Sequence, residues 1–201
     1  MKKTLLLLFL CAMFSFKAFS QDYVKTISAP NASKTYLGFG TGINNYVGML
    51  GPTIEHQVSK SFTLAAGLGL GSWGYKLSGG IRYYANFPDR WGFGLGFTQA
   101  TGIEKIDMEM PAGYVVGYSS KVTIPVKLKA ANTVNLSALR YWMIGQRKVN
   151  RFNIEFGYAI PVAENKYEIM NGDQLTADGK FFMNYLQPGG LILGAGLSFG
   201  L

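Results

Sequence analysis

The chain has 201 residues, enough for one domain, and carries a formal net charge of +8 with no dense Lys/Arg run, which excludes a nucleic-acid footprint. Its one cysteine, Cys11, lies in the leading apolar run. The remainder therefore has no disulfide, thiolate nucleophile or cysteine metal site, and neither a cofactor nor a metal is expected.

In chain order, "MKKTLLLLFLCAMFSFKAFSQD" comes first. Lys2 and Lys3 make a positive start, Leu5 to Phe14 an apolar run of ten, and Ala18-Phe19-Ser20 a small-residue cleavage site. Residues 1–20 read as a secretory signal peptide, with 21–201 as a single domain starting at Gln21. Ten apolar residues are too few to span a bilayer as a helix. Loss of Lys2, Lys3 and Lys17 takes the charge from +8 to +5. No later apolar run approaches the ~18 residues of a transmembrane helix.

Beyond the leader, the chain alternates with a period of two. In "FTLAAGLGLG", Phe62, Leu64, Ala66, Leu68 and Leu70 share one face and Thr63, Ala65, Gly67, Gly69 and Gly71 the other. Gly69 to Gly74 also satisfies G-x-G-x-x-G, but no helix pattern comes after it, so the glycines belong to a strand face rather than to a dinucleotide turn. Eight strands are expected, at about 35–44, 50–58, 62–72, 76–87, 91–101, 133–145, 151–162 and 190–201. Most run nine to twelve residues, the length a tilted strand needs to cross a bilayer.

Short connections (59–61, 88–90, 146–150) alternate with others that include two long ones, 102–132 and 163–189. That is the layout of an outer-membrane barrel, with short turns on the periplasmic side. Phe62, Phe87, Trp91, Trp142, Phe152 and Phe199 all fall near the short-turn edge, as an interface girdle would. One strand face is apolar and the other mostly Gly, Ser, Thr, Asn and Ala, the reverse of a soluble barrel. The fold class expected is all-β, an eight-stranded antiparallel up-and-down transmembrane β-barrel.

The leader, the eight alternating segments, "VTIPVKLK" and the terminal "GLILGAGLSFGL" resemble the small outer-membrane β-barrel proteins common in Bacteroidetes-type bacteria. The resemblance implies an outer-membrane location, contact with membrane lipids and lipopolysaccharide, and folding by the barrel-assembly machinery. It implies a terminal strand read through an aromatic near its end, here Phe199, displaced by two residues from the terminus. A peptidoglycan-binding tail is not expected.

Inward parity brings Glu55, Arg82 and Glu155 to similar depth in the lumen. Arg140 joins them if a bulge near Ala138–Leu139 turns it inward, because a lipid-facing arginine at mid-depth would cost about 2–4 kcal/mol. These four are expected to form a structural charge cluster that plugs the lumen. The rival reading is a narrow solute or ion channel, though eight strands leave little aqueous space.

The other rival comes from the resemblance. Some small outer-membrane barrels acylate or deacylate lipopolysaccharide with a histidine, a serine and a carboxylate. The only histidine, His56, has outward parity next to a short turn, and Glu55 points to the opposite face. No catalytic residue is therefore expected. The long loops balance Glu104, Asp107, Glu109, Glu164, Glu168, Asp173 and Asp178 against Lys105, Lys121, Lys127, Lys129, Lys166 and Lys180. That suits solvated loops with a role in surface interaction. "VTIPVKLK" alternates well enough to form a hairpin or to extend the sixth strand.

Overall fold

The computed structural model describes residues 34–85, 90–146, 149–162 and 167–201. The expected signal peptide, Phe87, Glu164 and Lys166 lie outside the described residues. In chain order the elements are β1 (Thr35–Ile43), β2 (Gly51–Gln57), β3 (Phe62–Gly71), β4 (Gly74–Tyr84) and β5 (Arg90–Ala100). Then come β6 (Ile103–Met110), β7 (Val122–Leu128), β8 (Ala131–Ile144), β9 (Asn150–Pro161), β10 (Tyr167–Ile169), α1 (Ala177–Leu186) and β11 (Gly190–Gly200).

Eight of these strands close into an antiparallel barrel in the order β1-β11-β9-β8-β5-β4-β3-β2, and β2 pairs back onto β1. With β6, β7, β10 and α1 set aside as insertions, every barrel strand pairs with its chain neighbours, the up-and-down arrangement. Closure leaves no unpaired edge.

The pleat explains which side chains go where. Along β3 every second residue from Thr63 to Gly69 is buried, while Phe62, Leu64, Leu68 and Leu70 are exposed. Ile81, Phe93, Leu95, Phe97 and Leu197 continue this apolar outer wall on β4, β5 and β11. A contiguous apolar exterior of this extent is not how a soluble monomer presents itself.

At the short-turn end Phe62, Trp91, Trp142 and Phe199 are all exposed. Trp142 stacks on Phe152 at 5.8 Å, and Trp91 meets Phe156 edge-on at 5.6 Å.

Arg140 corrects one expectation. No bulge interrupts β8, which pairs in unbroken register with β5 from Ala131 to Tyr141 and with β9 from Thr133 to Ile144. Arg140 therefore keeps its outward parity, opposite Trp91. Its guanidinium lies 5.4 Å from the Trp142 ring centre and 5.9 Å from that of Trp91. Four residues from the end of its strand, it reaches the aromatic edge instead of sitting at mid-depth. A long side chain can place its charge at such a boundary and gain from the ring faces. Leu139 and Tyr141 point inward instead.

The two long connections fold together at the opposite end. β6, β7 and β10 form a three-stranded sheet, so "VTIPVKLK" is the second strand of a hairpin. α1 starts at Thr176, whose hydroxyl accepts from the Gly179 amide, with Asp178 in the first turn. Met110, Val115, Ile124, Val126, Leu175 and Met183 form the core of this cap. Trp73, Ala100 and Ala131 at the barrel rim belong to the same core, and Trp73 Nε1 donates to the Lys129 carbonyl at 2.9 Å. The loop charges pair across strands: Lys127 with Glu104 at 2.6 Å, Lys121 with Glu109 at 2.8 Å and Lys129 with Glu168 at 3.3 Å. The hydrogen bond from Lys121 holds the Glu109 carboxyl below its ordinary pKa. Exposed pairs of this kind contribute little to stability.

Candidate functional site

The short connection from β1 to β2 does not stay at the rim. Asn45, Tyr46, Val47 and Gly48 are buried inside the barrel. Asn44, with φ of 54°, turns the chain inward. The inner-face glycines make the space. A Cβ on Gly80 or on Gly96 would lie 2.2 Å from the Tyr46 hydroxyl, and one on Gly69 2.1 Å from the Val47 carbonyl. The plug is held by polar contacts too. Lys76 Nζ donates to the Asn45 carbonyl at 2.8 Å, and Ser78 Oγ to the Tyr46 carbonyl at 2.7 Å. Burying a side chain of Val or Phe size contributes about 1.5–3 kcal/mol. The glycine face of the wall is thus complementary to four residues of a loop.

Beneath the plug lies a charged cluster centred on Glu55, which is 4% exposed. Glu55 Oε2 accepts from Arg82 Nη1 at 2.8 Å, from Arg151 Nη2 at 3.2 Å and from the Tyr141 hydroxyl at 3.3 Å. Glu55 Oε1 accepts from Thr63 Oγ1 at 3.0 Å and from the Tyr84 hydroxyl. Arg151 also stacks over Tyr36, its Cζ 3.5 Å from the ring centre, and Arg82 lies 4.8 Å from the Tyr46 ring centre, joining the cluster to the plug. Two guanidinium groups and three hydroxyls therefore face one carboxylate. An ionised carboxylate offers about four lone-pair sites. Those of Glu55 are committed, which makes it an anchor for the arginines rather than a free base.

Of the four residues expected to cluster, Glu55 and Arg82 meet directly. Arg140 is on the outer surface, because β8 runs without a bulge. Glu155 is buried and lines the same cavity of about 30 Å³ as Glu55 and Arg82, but it makes no ion pair among the described residues. Arg151 takes the place expected of Arg140. Its signal is present in the sequence, because the inward parity of Asn153 and Glu155, carried back two residues, reaches position 151. Tyr36 and Tyr141 give no such signal, since a tyrosine in an alternating strand reads as apolar on either face.

Outside the barrel, His56 is exposed near the short-turn end, and its Nδ1 lies 2.8 Å from the Thr35 hydroxyl. Thr35, His56 and Leu64 are cross-strand neighbours on the outer face. Glu55 and its partners occupy the other side of the wall. Among the described residues no three His, Cys, Asp or Glu side chains gather closely enough to hold a metal ion.

No protein-family model and no curated protein matches the chain.

Proposed function

We propose that this chain is a small outer-membrane barrel with a structural or surface-interaction role, a plugged lumen and no catalysis. One observation carries the reading: a closed barrel with large apolar side chains outside and charges, glycines and hydroxyls inside. Lipid solvates such an exterior and water does not. In a bilayer every backbone group must be paired, and a closed sheet meets that demand. The exposed aromatics at the short-turn end support the same reading. Tyr75 and Tyr158, exposed on the outer wall toward the cap end, would form the second interface belt. The partners are then membrane lipids, lipopolysaccharide and, during assembly, the barrel-assembly machinery engaging β11. The cap would be the surface offered to the outside.

Cell fractionation is expected to recover the protein with the outer membrane. On a detergent gel an unboiled sample should migrate differently from a boiled one. Recovery as a freely soluble periplasmic protein would overturn the proposal.

The Thr35–His56 contact is the observation that favours a lipid-modifying enzyme instead. Among the described residues no carboxylate side chain is bonded to this pair, and it sits at the short-turn end, which in this reading meets the inner leaflet. Replacing His56 by alanine should leave the acyl pattern of lipid A unchanged by mass spectrometry. A pattern that depends on His56 would establish the enzyme.

A further inference from the structure

We infer that the exposed face of α1 rests on the headgroup layer of the outer leaflet, so that the cap binds the lipid surface as well as facing solvent. The inference rests on the proposed membrane location. α1 turns Gly179, Phe182, Met183 and Leu186 toward the cap core. It leaves Phe181 and Tyr185, four positions apart on one stripe, 74% and 81% exposed. No other large apolar side chain in the described cap is as open.

The chain leaving α1 is pinned to the barrel rim. Asn44 Nδ2 donates to the Gly189 carbonyl at 2.6 Å, and Asn44 Oδ1 accepts from the Gly189 amide at 3.3 Å. Tyr185 precedes Gly189 by four residues, a span of at most about 14 Å. Two residues beyond Gly189, the outer wall has already begun with Leu191, 68% exposed, opposite Tyr158. The headgroup layer above the hydrocarbon is on the order of 5–8 Å thick on each side. The tether thus keeps Tyr185 within reach of that layer.

The composition suits a lipid surface. Tyrosine is enriched at membrane interfaces. Asp178, Lys180 and Asn184 flank the aromatic stripe, so the uncovered side of α1 is amphipathic, as in a helix lying in the interface plane.

The test places a nitroxide spin label at Asn184→Cys, beside the two aromatics, in a Cys11→Ser background refolded into vesicles of phospholipid and lipopolysaccharide. Collision with oxygen, which concentrates in lipid, is compared with collision with a water-soluble nickel complex. Leu193→Cys reports the outer wall, and Ser119→Cys reports the connection between β6 and β7. The oxygen-to-nickel ratio at 184 should exceed that at 119 severalfold and remain below that at 193. Adding Phe181→Ser and Tyr185→Ser should bring the 184 value down to that of 119. A 184 ratio equal to that at 119, with 193 rich in oxygen, would overturn the inference and leave the membrane location intact. A 193 ratio equal to that at 119 would overturn both. Poor access of both reagents to 184 would mean a protein partner or a second copy covers α1, which also overturns the lipid assignment.

Discussion

Replacing Glu55 by leucine should destabilise the barrel by about 3–5 kcal/mol, the usual cost of stranding a buried charge. Among the described residues Glu55 is the carboxylate that both Arg82 and Arg151 contact, and its loss removes the counter-charge it supplies to each buried guanidinium. Arg82→Met should cost less, because Arg151, Tyr84 and Thr63 still hold the carboxylate. Removing Glu55 and Arg82 together should cost less than the sum of the single changes, since contacting residues couple. The temperature at which the folded band converts to the unfolded band on a detergent gel reports all four states. Additive effects, or a larger loss from Arg82→Met than from Glu55→Leu, would refute Glu55 as the hub.

Gly96→Ala should also be costly, by about 1–3 kcal/mol, the range for overpacking a filled interior. The added carbon would meet the Tyr46 hydroxyl at 2.2 Å and its ring at 2.8 Å. Tyr46→Ala removes a buried aromatic and should itself cost about 3–5 kcal/mol. In that background the Gly96→Ala penalty should largely disappear, because the colliding side chain is gone. Denaturant unfolding in detergent measures the four corners of this cycle. An equal penalty with and without Tyr46 would mean that Gly96 serves strand geometry alone, and that the plug does not explain the glycine face.

The sequence by itself determined the barrel strands and their inside and outside. Alternation at "FTLAAGLGLG" or "GLILGAGLSFG" is a local consequence of the pleat, so it survives without knowledge of any partner strand. The outward set needed only parity, as did the inward placement of Glu55 and Arg82. The glycine face was legible as small, but what fills the space was not. Residues 44–50 look like any turn, and their entry into the lumen depends on Gly69, Gly80 and Gly96 arriving from three other strands.

The tertiary structure alone decided which charges meet. The sequence reading expected Arg140 beside Glu55 and Arg82, and the fold instead brought Arg151 to Glu55 at 3.2 Å. Parity left Arg140 ambiguous, and the unbroken register of β8 put it outside, next to Trp91 and Trp142. The cap belongs to the same class. α1 is ten residues long with a glycine inside it, too short to stand as an isolated helix. It forms because Met183 and Leu175 bury against a sheet built from a distant part of the chain. Contacts between segments far apart in sequence leave no period in either segment. Pairings within the lumen and the cap therefore became readable only once the barrel had closed.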